Sequence, residues 1–143
     1  MNTSSTSIEH SPQSIAAGWA AAWNATDQSL LAGLFTADGT YSDLAAGKSF
    51  EGSDAITGFK AGSDALIADL HIEVLNAFGE NDHVAIESLY SGHFRGAPQP
   101  FAVRGTTTLR MKDGLIHTNT DNYSLTTLLA QSGLPLNWTP TAG

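Results

Sequence analysis

Cysteine is missing from the 143 residues, so neither disulfides nor thiolate metal sites are available. Basic residues are scarce: six Lys and Arg stand against fourteen Asp and Glu, a formal charge of −8. No Lys/Arg cluster offsets that balance locally, and an acidic surface repels phosphate, so nucleic acid and anionic membranes are excluded as partners. The five histidines (His10, His71, His83, His93, His117) form no HxxxH or HxH pair, so no metal site and no cofactor is expected. No apolar run approaches membrane-spanning length. The opening Met1–Ser7 has neither a basic start nor an apolar stretch, so no secretory signal is read there and a cytoplasmic protein is expected.

What is present suits one globular domain. A hydrophobic fraction of 41% with 14% charged residues is neither disordered nor fibrous. Residues 1–10 read as a flexible polar arm, 11–135 as the domain and 136–143 as a tail. Ser11-Pro12 is a helix start, and Ile15, Trp19, Ala22 and Trp23 recur on one helical stripe. Asp27 is expected to cap a second short helix that turns Leu30, Leu31, Leu34 and Phe35 inward and breaks at Asp38-Gly39. A strand over 40–44, a loop over 45–52 and a third helix capped by Ser53 and carrying Ile56 and Phe59 follow. Four long strands joined by short turns begin near Ala68, His83, Phe101 and Leu115. A last helix from Leu125 to Ser132 stops at Gly133, with Pro135 beyond it.

This order gives an α+β fold: helices covering the concave face of a curved antiparallel sheet, with a cavity for a small ligand between them. Strand parity turns Val84, Ile86, Ser88 and Tyr90 to one face, and Val103, Gly105, Thr107, Leu109 and Met111 inward, opposite Arg104, Thr106, Thr108 and Arg110. In the last strand His117, Asn119, Asp121 and Tyr123 share a face. That polar row is either a solvated sheet edge or a polar pocket wall.

The segment Leu34–Asp43, with the spacing back through Asp27 to Trp19, resembles the helix-to-strand passage of the ketosteroid isomerases. Arg110–Ile116, Asp121-Asn122-Tyr123 and Leu128–Leu134 are similar to the end of SnoaL-like polyketide cyclases. The resemblance covers most of residues 12–135. It implies the cone-shaped NTF2-like fold and a small, largely apolar substrate, with pairing into a homodimer through the outer sheet face. The reactions it implies are cofactor-free cyclisation, isomerisation or dehydration of a polyketide or terpenoid. Limonene-type epoxide hydrolysis and ligand binding without catalysis remain as alternatives.

Carried over residue by residue, the resemblance places Asp121 as the acid/base of the cyclases and Asp43 at the isomerases' base position. Trp19 and Thr107 fall at the isomerases' oxyanion-hole positions, where the relatives have stronger acids. Tyr41, Tyr90, Trp19 and Asn119 are expected to position substrate, together with Trp23, Phe59, Thr107 and His117. Against these readings, Asp43 could merely accept backbone hydrogen bonds at a strand end, Asp121 could make an Asx turn, and the two tryptophans could be plain core. His117 is expected to partner Asp121, while His71 and His93 are expected on the surface.

Overall fold

The computed structural model describes residues 11–140; the polar arm and residues 141–143 of the expected tail lie outside the described residues. Helix α1 spans Pro12–Asn24. Ser11 Oγ accepts the Ser14 amide at 3.1 Å, and Pro12 begins the helix where a missing N–H costs nothing. Its stripe of Ala16, Trp19, Ala20, Ala22 and Trp23 is buried. Truncating either indole to alanine would cost about 3–5 kcal/mol.

Helix α2 is a single turn, Ser29–Ala32. Gln28, not the expected Asp27, stands at its N-cap; Asp27 Oδ1 accepts the Ser29 amide at 3.0 Å from one residue further out, and the helix is shorter than the apolar pattern implied. Leu31 is buried and Leu30 exposed, while Phe35 already belongs to strand β1, Phe35–Asp43. The Asp38-Gly39 break lies within this strand as a bulge: Phe35 pairs with Ile116 and Thr40 with Thr118, so the residues between them leave the ladder. A Cβ on Gly39 would lie 3.0 Å from the Phe35 ring, which explains the glycine.

The expected loop over 45–52 contains a short edge strand, β2 (Lys48–Glu51), paired antiparallel with β1. Helix α3 (Ser53–Leu66) follows, capped from Gly52 with no side-chain bond from Ser53. The meander is β3 (Ile67–Glu80), β4 (His83–Phe94), β5 (Phe101–Lys112) and β6 (Leu115–Tyr123). Helix α4 (Leu125–Ser132) ends on Gly133 at φ 74°, the left-handed stop that glycine favours. The sheet order is β2-β1-β6-β5-β4-β3, antiparallel except where β1 runs parallel to β6. The sheet is curved and unclosed, and the helices cover its inner face. Among the described residues, no helix is long and apolar enough to cross a membrane.

Parity on β4 and β5 follows the sequence pattern: Val84, Ile86, Ser88, Val103, Thr107 and Leu109 are buried, and Arg104 and Arg110 exposed. Bulges change it elsewhere. A shift between Val74 and Asn76 in β3 turns Ala77 inward and leaves Phe78 half exposed. A second lies in β6, where Arg110 pairs with Thr118 and Met111 with Ile116.

Candidate active site

The sheet register assembles the site. Asp43 on β1 is the direct partner of Asp121 on β6, which pairs in turn with Thr107 on β5. Neighbouring strands lie about 4.8 Å apart, so two carboxylates and a hydroxyl stand side by side on the inner face. The next row holds Tyr41, Asn119 and Leu109. Helix α1 crosses above these rows and lowers two indole N–H groups onto them.

Asp121 is the hub. Thr107 Oγ1 donates to its Oδ1 at 2.6 Å, Asn119 Nδ2 donates to the same oxygen at 3.0 Å, and the Tyr41 hydroxyl donates to Oδ2. Behind these donors stand the tryptophans: Trp19 Nε1 donates to Asn119 Oδ1 at 2.8 Å and Trp23 Nε1 to the Tyr41 oxygen at 3.2 Å. Both indoles are therefore core residues with polar work, since they fix the orientation of the groups that bind the carboxylate. Burial pushes the Asp121 carboxyl from 3.8 up to about 6, against the pull of Thr107, Tyr41 and Asn119, and the nearby Asp43 charge adds to the rise. Each carboxylate oxygen has two lone pairs; those of Oδ1 are taken, and one on Oδ2 is left for a guest.

Asp43 accepts the Ala46 amide on Oδ1 at 3.0 Å and the Tyr123 hydroxyl on Oδ2 at 3.1 Å. The strand-end bond and the cavity-facing position thus coexist. Three tyrosines surround the pair. Burial raises the hydroxyls of Tyr41, Tyr90 and Tyr123 above their usual value, and the charges of Asp43 and Asp121 raise all three further. Tyr90 Oη has no hydrogen-bond partner among the described residues.

The two carboxylates open onto a cavity of about 940 Å³. Of the side chains expected at the site, Trp19, Trp23, Tyr41, Asp43, Phe59, Tyr90, Thr107 and Asp121 line it; Asn119 is fully buried behind the wall. The tryptophans roof the chamber without filling it. Sequence reasoning missed Tyr123, whose parity with Asp121 was the available signal. It also missed Phe50, stacked on Phe59 with centroids 4.4 Å apart, and Trp138, which packs on Phe94 at 5.0 Å and lines the cavity from the segment read as a tail.

His117 is not with them. It is the unpaired residue of the β6 bulge, and that one extra residue turns it away from the face of Asn119 and Asp121. Its Nδ1 lies 3.2 Å from Thr36 Oγ1 and 3.7 Å from Asp38 Oδ1, against the facing bulge of β1. The expected partnership with Asp121 is thereby corrected. His71 is exposed, and His93 Nε2 lies 2.8 Å from the Ala97 carbonyl, outside the lining. The indole of Trp19 and the hydroxyl of Thr107, at the positions of an oxyanion hole, both spend their hydrogens on the Asp121 network. Among the described residues, no group of three or more His, Asp or Glu side chains is arranged to hold a metal.

The SnoaL-like domain family matches residues 16–118. A solved protein of ketosteroid isomerase-like fold from Catenulispora acidiphila, in complex with trimethylamine, is 48% identical. The match covers 91% of this chain and 99% of that one, at a TM-score of 0.87. IdmH, a candidate polyketide cyclase from Streptomyces antibioticus, shares the fold at 23% identity and TM-score 0.73, over 86% of this chain and 99% of that one. A candidate SnoaL-like polyketide cyclase from Shewanella putrefaciens does so at 16% identity and TM-score 0.73, over 84% and 94%. No curated protein matches the chain. On the extent of the family match and the 48% identity, the chain belongs to the SnoaL-like domain family.

Proposed function

We propose that the protein is a cofactor-free acid/base enzyme acting on a cyclic, mostly apolar molecule such as a polyketide or terpenoid, by cyclisation, isomerisation or dehydration. One observation carries the reading: Asp121 is a half-buried carboxylate on the cavity wall, held by three donors and raised to about 6, with one lone pair of Oδ2 unclaimed. A base with a conjugate acid near neutrality can both take and return a proton. In this scheme Asp121 Oδ2 removes a proton from the carbon beside a substrate carbonyl. The unpartnered Tyr90 hydroxyl donates to the enolate oxygen as it forms, the role that Trp19 and Thr107 cannot fill. The enolate then takes the proton back at another carbon, attacks a second carbonyl to close a ring, or expels a β-hydroxyl. Asp43 is the second carboxylate, keeping the Tyr123 hydroxyl in place. The Catenulispora relative, solved in complex with trimethylamine, is consistent with the binding of a small organic molecule.

The test uses 2-tetralone in deuterated buffer, with loss of its α-proton signals followed by NMR. Wild type should accelerate exchange, with a rate that rises as pH passes about 6, and Asp121→Asn should bring it to the buffer rate. No acceleration, or equal acceleration by the variant, contradicts the proposal. Epoxide opening is the competing reaction, and oxygen from labelled water in a diol product would favour it. Pairing of two copies through the outer sheet face is proposed from exposed Leu75 and Phe78 on β3. Light scattering should then give twice the chain mass of 15.0 kDa.

A further inference from the structure

Two carboxylates share one cavity wall, and among the described residues neither makes an ion pair with a cationic side chain. Among the described residues the ion pairs are Lys60–Asp64 and His117–Asp38, both off the lining. Lys48, the one basic residue among the described lining, is the ladder partner of Asp43 across β1 and β2, but its side chain is exposed and makes no ion pair with either acid. Hydrogen bonds hold such charges in place but do not neutralise them, and buried charge is ordinarily paired. Around the two acids the wall is aromatic: Tyr90 and Tyr123 meet edge to face at 5.5 Å, and Phe50, Phe59 and Trp138 complete it. Ring faces and a carboxylate without an ion-pair partner attract a positive charge more strongly than a neutral group of the same shape.

The two acids are not equivalent toward such a guest. Asp121 already accepts from three side chains, whereas Asp43 accepts one hydroxyl and one amide and keeps two lone pairs free. We propose that the cavity selects a ligand carrying a protonated or quaternary amine on an apolar skeleton, with the positive charge seated against Asp43 beside the rings of Tyr90 and Tyr123. This names the substrate class of the acid/base reading and rests on it only in sharing the cavity, with Asp121 left as the base.

The probe pair is choline and 3,3-dimethylbutan-1-ol, which have the same shape and differ in charge. Binding to the full chain is followed through the indole N–H signals of Trp19 and Trp23. Wild type should bind choline at least tenfold more tightly, and Asp43→Asn should reduce that preference below threefold. Equal or weaker binding of choline by wild type overturns the inference without need of any variant. A tenfold preference that survives in Asp43→Asn overturns the seat at Asp43. Loss of 2-tetralone exchange in Asp121→Asn with no choline preference in wild type would sink this inference alone. A choline preference without tetralone exchange would sink the acid/base reading alone.

Discussion

Replacing Asp121 with asparagine should make the fold less sensitive to pH, in a direction that the burial of its carboxyl dictates. The native carboxyl titrates at about 6 against 3.8 for an ordinary one. The folded state therefore holds the proton more tightly than the unfolded chain. The contribution of this group to stability is fully present below pH 3.8 and is lost as pH rises through about 6. At ~1.4 kcal/mol per tenfold, the gap is worth about 3 kcal/mol. Asparagine has nearly the same shape and cannot ionise. Its fixed gains and losses, such as the Tyr41 hydroxyl having to turn away from an amide nitrogen, are the same at every pH and cancel in the comparison. Urea unfolding of both proteins, followed by tryptophan fluorescence at roughly pH 4 and roughly pH 7.5, measures the difference at each end. Between them the variant should gain about 2 kcal/mol on the wild type, since at pH 4 the unfolded carboxyl is already partly ionised. A difference that does not change with pH, or a variant that loses ground as pH rises, would refute the reasoning.

Asn119→Leu removes the acceptor of the Trp19 N–H and one donor to Asp121; with both left buried it should cost about 2–4 kcal/mol in urea unfolding, and a loss under about 0.5 kcal/mol contradicts the assigned hub. Tyr41→Phe deletes the donor to Asp121 Oδ2 and the acceptor of Trp23 Nε1, so the midpoint of the pH–rate profile for tetralone exchange should move above about 6, and a downward move would contradict the wiring. Gly79→Ala places a Cβ 2.2 Å from the His83 carbonyl oxygen at φ 122°, and thermal melting should show a loss of at least about 2 kcal/mol; a neutral result would contradict the turn geometry.

The sequence shows its meander because β4 and β5 alternate cleanly and short glycine-bearing turns separate the strands, and its outer helices because Ser11-Pro12 and Gly133 punctuate them. Bulges defeat the same alternation. His117 and Phe78 depart from the alternating pattern because one unpaired residue reverses every face beyond it, while around Asp38 several residues leave the ladder at once, and nothing local announces which will do so. The edge strand β2 is four residues with three exposed, too little pattern to separate from loop. As for the site, parity alone put Asn119, Asp121 and Tyr123 on one face. The pairing of Asp43 with Asp121 joins strands about 80 positions apart in parallel, a contact that local pattern cannot encode and that only family resemblance suggested. The roles of Trp19 and Trp23 as donors behind the carboxylate's own donors required coordinates, because an indole on a buried stripe reads the same with or without a partner for its N–H.

The most direct test of the account is the titration of Asp121 itself in the ligand-free protein, by carbon-detected NMR of its carboxyl signal. The midpoint should lie at about 6 and fall when a cationic guest such as choline occupies the cavity. A midpoint near the ordinary 3.8, unmoved by any guest, would contradict it.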